Sequence, residues 1–266
     1  MGEDEFVIRT QPLMLMLFIS VLLLTGCRQR FQELSAEVIA SFPHDPTAYT
    51  QGLLFYKGRL FESTGISGAS SVREVVIESG NIERLRPLEP QYFGEGLARV
   101  GNRLIQLTWQ RGRAFVYNLE TFDPLGAHRY VTEGWGLCYD GDHLYMTDGS
   151  STLFRRDPDS FEEEESVTVK LRGEPLIRLN ELECVGEHVY ANVWLTDTIV
   201  RIDKRSGRVV AEIDASSLLS DEERDALLPG EVLNGIAYNA ESETFYLTGK
   251  HWPRLFEVRW VARPSS

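Results

Sequence analysis

The chain has 266 residues, 42% of them hydrophobic, which suits a single all-β domain with a sizeable core. A net charge of −13 and an isoelectric point near 4.9 speak against a nucleic-acid partner, because a phosphate backbone calls for a basic footprint. Its three cysteines and five histidines show no zinc-type spacing, and no phosphate loop, dinucleotide fingerprint or serine elbow is present.

Leu13 to Leu24 is an apolar run of 12 residues broken only by Ser20. It is shorter than the about 20 residues of a spanning helix and fits the apolar region of a signal peptide. It ends in Leu24-Thr25-Gly26-Cys27, which resembles a bacterial lipobox, so residues 1–27 are expected to be a signal peptide with Cys27 as the lipid-bearing residue. The acidic Glu3, Asp4 and Glu5 are unusual for such a leader and leave the start codon open. Residues 28–34 are expected to be a polar tether, and the folded domain to span 35–260.

From Ala36 onward the chain repeats itself. Hairpins open at Gly52-Leu53, Gly96-Leu97, Gly136-Leu137, Glu181-Leu182 and Gly235-Ile236, in steps of 44, 40, 45 and 54 residues. Their turns fall at Lys57-Gly58, Gly101-Asn102, Gly141-Asp142, Gly186-Glu187 and between Asn239 and Glu243. Two more strands follow each of the first four hairpins, as in Thr198 to Ile202 and Arg208 to Ile213. Four strands per unit and five units predict a five-bladed β-propeller. The last unit shows three strands, ending at Leu255 to Arg259, so the apolar run Ala36 to Phe42 is expected to close the ring as its outer strand.

The excess length before the fifth hairpin lies in Ala215 to Glu231. Ser220-Asp221-Glu222-Glu223 is a capping-box pattern that predicts a short helix, either a lid for the site or a plain insertion. Cys138 and Cys184 align one residue out of register, Cys138 with Glu183 and Cys184 with Tyr139. Side chains alternate along a strand, so their sulfurs are expected on opposite faces of their blades, as free thiols. His143 and His188 recur just after hairpin turns and read as surface residues.

Two columns of the repeat carry the chemistry. The residues before the opening pairs are Gln51, Glu95, Trp135, Asn180 and Asn234. Those closing the second strands are Gly65, Trp109, Gly149, Trp194 and Lys250. In an antiparallel hairpin the start of one strand lies beside the end of the other, so both columns meet on one face around the axis. A carboxylate, an ammonium, amides and indoles converging there describe a small-ligand pocket.

The chain resembles the plant and bacterial type of glutaminyl-peptide cyclotransferase. The stretches that carry the resemblance include Tyr49-Thr50-Gln51-Gly52-Leu53, Phe93-Gly94-Glu95-Gly96-Leu97, Glu133-Gly134-Trp135-Gly136-Leu137, Leu179-Asn180-Glu181-Leu182-Glu183, Ala191-Asn192-Val193-Trp194 and Thr248-Gly249-Lys250-His251-Trp252-Pro253, across about residues 36 to 260. The resemblance implies a five-bladed propeller that closes an N-terminal glutamine to pyroglutamate with release of ammonia, without metal or other cofactor. It implies catalytic roles for Glu95, Lys250 and Asn180, and substrate binding by Gln51, Tyr49, Phe93, Trp109, Trp135 and Trp194. Tyr49 stands where that family usually has Phe.

In that reading Glu95 shuttles the proton, Lys250 and Asn180 stabilise the oxyanion, Gln51 holds the substrate's peptide carbonyl and the indoles exclude water. The expected partner is a peptide or protein bearing N-terminal glutamine, and the expected location is a bacterial cell envelope, facing periplasm or exterior. The membrane is met only through a lipid anchor at Cys27, and a monomer is expected. A non-catalytic propeller lipoprotein that binds peptide N-termini is the alternative. A propeller hydrolase or lactonase would require several carboxylates, and the columns hold one.

Overall fold

The structure, a computed structural model, describes residues 1–2 and 30–263. The apolar run before Cys27, and Cys27 itself, lie outside the described residues. The first strand, β1 (Gln32–Pro43), starts inside the stretch expected as a tether. The chain then lays down β2 (Thr50–Tyr56), β3 (Arg59–Thr64), β4 (Ser71–Val75) and β5 (Ile82–Pro87) as one antiparallel four-stranded sheet. A second such sheet holds β6 (Gly94–Val100), β7 (Arg103–Thr108), β8 (Arg113–Asn118) and β9 (Pro124–Arg129). A third holds β10 (Leu137–Tyr139), β11 (Leu144–Met146), β12 (Thr152–Arg156) and β13 (Glu163–Thr168). A small hairpin of β14 (Lys170–Leu171) and β15 (Glu174–Pro175) follows.

The remaining strands are β16 (Leu179–Val185), β17 (His188–Val193), β18 (Thr198–Asp203), β19 (Val209–Asp214), β20 (Leu233–Asn239), β21 (Thr244–Gly249) and β22 (Arg254–Ala262). With β1 they form one eight-stranded sheet, ordered β16-β17-β18-β19-β1-β22-β21-β20. β1 pairs antiparallel with β22, Leu34 opposite Ala262 and Pro43 opposite Arg254, so the N-terminal strand covers the open edge of the last unit. Its first residues, Gln32 to Ser35, also pair parallel with Ala211 to Asp214 of β19. Divided at that parallel seam, the sheet supplies a fourth and a fifth four-stranded unit.

Each unit's first strand packs against that of the next: β2 on β6, β6 on β10, β10 on β16, β16 on β20, and β20 back on β2. The apolar side chains form separate cores between neighbouring units. Phe61 and Leu104 share one, Ile105 and Met146 the next, then Tyr145 with Val189, Ile199 with Phe245, and Leu60 with Tyr246. This is the packing of a β-propeller, in which sheets stack face to face around an axis. Gly52 and Gly96 permit the close approach at the axis. A Cβ on Gly52 would stand 2.6 Å from the Leu97 amide nitrogen, and one on Gly96 would stand 2.5 Å from that of Leu137. In the fourth unit Glu181 takes this place, and its buried carboxylate accepts from the amides of Leu53 (3.2 Å) and Ile236 (2.7 Å), tying three units together.

Cys138 and Cys184 are joined by a disulfide, with Cα atoms 5.4 Å apart, which corrects the expectation of free thiols. The one-residue offset was sound, but its consequence is the reverse. Cys138 is in β10 and Cys184 in β16, first strands of adjacent units. Neighbouring sheets meet through opposite faces, so sulfurs on opposite faces of equivalent strands point toward each other.

The predicted helix is α1 (Asp221–Asp225), with both capping-box bonds made: Glu223 N donates to Ser220 Oγ (3.2 Å) and Ser220 N to Glu223 Oε2 (3.0 Å). Around it Leu218 and Leu219 join the core that holds Trp252, whose Nε1 donates to the Glu231 carbonyl (3.3 Å). The insertion thus braces Trp252, which packs against Gly249 beside Lys250.

Candidate active site

At the mouth of the axis lies a cavity of about 230 Å³ lined by Tyr49, Gln51, Phe93, Glu95, Trp109, Trp135, Asn180, Trp194 and Lys250. The sequence-predicted residues therefore converge on one place. None of the insertion 215–231 lines it. The local device that aims the side chains inward is a β-bulge. Register slips occur between Thr50 and Gly52, Gly94 and Leu97, Leu179 and Leu182, and Leu233 and Ile236. A bulge leaves one residue out of the ladder and redirects it, and the residues so released include Gln51, Glu95, Asn180 and Asn234.

A short relay fixes the acid. Asn234 Nδ2 donates to the Thr50 carbonyl (3.0 Å) and to Gln51 Oε1 (3.2 Å), and Gln51 Nε2 donates to Glu95 Oε1 (3.1 Å). Gln51 thus holds Glu95, a contact the sequence reading did not foresee. Glu95 is buried, and burial raises its pKa well above the usual carboxylate range; the Lys250 charge opposes the rise and Glu133 adds to it. Burial lowers the Lys250 ammonium to about 8, against the upward pull of Glu95. Lys250 Nζ sits 4.8 Å from the Tyr49 ring centroid and 5.9 Å from that of Trp194, a cation held by π faces.

Among the described residues, two buried polar atoms at the cavity have no hydrogen-bond partner, Asn180 Oδ1 and Trp194 Nε1. An unsatisfied buried polar atom costs about 1–3 kcal/mol, so such atoms mark where a polar ligand would be received. The aromatic wall is built edge to face: Trp135 on Trp194 (5.5 Å), Phe93 on Trp109 (5.8 Å) and Tyr49 on Phe93 (5.9 Å). His251 closes on Tyr49 (5.3 Å) while its Nδ1 contacts the Pro46 carbonyl (3.0 Å).

The sequence reading missed Glu133. Its Oε2 accepts from the indoles of Trp109 (2.8 Å) and Trp135 (2.9 Å), and its Oε1 from Gln110 (2.9 Å). Burial pushes this carboxyl up, but these three donors hold it below its usual value. A third column would have revealed it. Tyr49, Phe93, Glu133, Arg178 and Val232 each stand two residues before the first-column residue, and Gly65, Trp109, Trp194 and Lys250 donate their amides to the carbonyls of Tyr49, Phe93, Arg178 and Val232.

A buried charge cluster underlies the site. Glu62 accepts from Thr50 Oγ1 (2.5 Å) and Arg73 Nε (2.8 Å) and meets His44 Nε2 (3.2 Å). Burial would raise the Glu62 carboxyl, but the charges of His44 and Arg73 and these hydrogen bonds bring it down to about 2. His44 also reaches the Trp252 carbonyl (2.7 Å), joining the end of β1 to the segment that carries Lys250.

The comparisons with known proteins agree with this geometry. The glutaminyl-peptide cyclotransferase of Arabidopsis thaliana is 42% identical over 230 residues, covering 84% of this chain and 70% of its own length. The crystal structure of Myxococcus xanthus glutaminyl cyclase superimposes with a TM-score of 0.83 at 40% identity, covering 88% of this chain and all of that one. The model of the glutamine cyclotransferase family matches residues 13–260, and the chain belongs to that family.

Proposed function

We propose that the protein is a glutaminyl-peptide cyclotransferase, converting the N-terminal glutamine of peptides or proteins to pyroglutamate with release of ammonia. The observation that carries it is that one buried carboxyl, Glu95, and one buried amine, Lys250, line the same small aromatic-walled cavity. The substrate's α-nitrogen attacks the γ-amide carbon, a C–N bond forms, and the bond to the amide nitrogen breaks. Glu95 accepts the proton the α-nitrogen sheds and passes it to the departing amide nitrogen, which leaves as ammonia. Burial raises its pKa well above the usual carboxylate range, which makes it a stronger base toward the proton of the attacking nitrogen.

Lys250 and the Asn180 amide supply donors to the oxygen that gains negative charge, in a site that water does not relax. Gln51 keeps Glu95 in place, and Glu133 holds the two indoles that close over the flat glutaminyl side chain. The name of the Arabidopsis relative gives a glutaminyl peptide as its substrate, which supports a peptide's glutamine as the residue cyclised. Incubating a soluble fragment of residues 28–266 with a peptide bearing N-terminal glutamine should release one ammonia per peptide. Binding without ammonia release would leave a peptide-binding propeller instead.

Attachment to a bacterial cell envelope through lipidated Cys27 belongs to the same proposal, supported by Leu13 to Leu24 and the Leu24-Thr25-Gly26-Cys27 motif. Cys27→Ser should move the protein from the membrane to the soluble fraction. A variant that still sediments with membranes would contradict it.

A further inference from the structure

The cavity of about 230 Å³ is smaller than the roughly 300–1,000 Å³ of pockets that enclose a drug-sized ligand. It has room for one side chain and its backbone, so the polypeptide after the first residue must leave through the mouth and cross the rim. That rim carries exposed apolar side chains: Ile66 (40%), Trp109 (39%), Ile177 (56%) and Leu195 (45%). Each is continuous with the cavity. Ile66 follows Gly65, which abuts Phe93 and Tyr49. Leu195 follows Trp194, and Trp109 is itself a wall. Ile177 precedes Arg178, whose amide donates to the Gly149 carbonyl (2.7 Å) and whose carbonyl accepts from Trp194 (2.9 Å).

Two of these four side chains sit on an unusual backbone conformation. Ile66 has φ 79° and Leu195 φ 67°, a left-handed conformation that costs a β-branched residue most. Trp194 lines the cavity while the next side chain, Leu195, stands exposed beside it, and Ile66 stands exposed beside Gly65. Glycine would suit both positions with less strain, so nothing in the turn itself calls for Ile or Leu. We propose that Ile66, Trp109, Ile177 and Leu195 form a docking rim for the residues after the N-terminal glutamine, selecting peptides with a bulky apolar side chain at the second position. This rests on the cyclotransferase reading for the identity of the first residue.

The test compares Gln-Gly-Gly-amide with Gln-Phe-Gly-amide, following indole fluorescence on the Glu95→Gln protein so that neither peptide is consumed. The Phe peptide should bind about tenfold more tightly, as expected for part of an aromatic side chain leaving water. Adding Ile66→Gly and Leu195→Gly, substitutions that fit the positive φ, should bring the ratio close to one while the melting temperature stays level or rises. A parent ratio near one, or a ratio that the two glycines leave unchanged, would overturn the rim. Absence of ammonia release by the unmutated protein would instead count against the cyclotransferase reading, since the binding ratio is read independently of turnover.

Discussion

Lys250 must keep its proton to serve as a donor, whereas Glu95 must lose its own to serve as a base. Burial acts on both toward the neutral form, bringing Lys250 to about 8 and Glu95 well above the ordinary carboxylate range. Turnover should therefore rise with pH through the deprotonation of Glu95 and fall as Lys250 deprotonates near 8, giving a bell. Lys250→Arg keeps a cation through that range. Its turnover, lowered by the changed geometry, should lose the alkaline limb; a kcat profile with the same limb would assign it to another group. Gln51, Glu95, Trp109, Trp135, Asn180, Trp194 and Lys250 were legible in the repeat because a propeller places equivalent positions on one face, whereas Tyr49 and Phe93 came only from the family resemblance. Glu133 escaped because only two columns were read, and Gln51 was assigned to the substrate's peptide carbonyl because no strand pattern reveals that Asn234 and Glu95 hold both ends of its amide.

The bulges are the element that makes a ring of ordinary hairpins into a site. A strict ladder would alternate Gln51, Glu95 and Asn180 toward a sheet face, and the slip turns them to the axis. Sequence alternation shows where strands start but not where one residue drops out of the ladder, so the inward aim was inferred only from the column's composition. The disulfide belongs to the same scale. It crosses between β10 and β16 on first strands of adjacent units, and Cys138 lines a cavity other than the proposed site. Its loss should cost about 2–4 kcal/mol, lowering the melting temperature by on the order of 10 °C, without abolishing turnover. Melting curves with and without reductant, and for Cys138→Ser with Cys184→Ser, check this. Superimposable curves would mean the bridge contributes no stability.

Closure holds the whole molecule together. β1 covers the edge of β22 and, through Gln32 to Ser35, the edge of β19, while Leu34 and Ala36 enter the core between the fourth and fifth units. The Ala36 to Phe42 run was legible as an orphan strand because the fifth unit lacked its fourth. The parallel seam was not, since Gln32 and Glu33 are polar and carry no strand signal. Deleting residues 32–43 should remove several kcal/mol of burial and open two strand edges, lowering the melting temperature by about 10 °C or more, or leaving an aggregating chain. An unchanged melt would contradict closure by β1.

One measurement bears most directly on the proposed chemistry: ammonia release from a peptide with N-terminal glutamine, by the parent protein and by Glu95→Gln, alongside the affinity of each for that peptide. The amide is nearly isosteric and can keep a hydrogen bond to Gln51, but it cannot carry a proton between the attacking and leaving nitrogens. The account predicts affinities within a few-fold of each other and turnover lower by at least about 10² in the variant. A folded Glu95→Gln protein that releases ammonia at the parental rate would contradict it.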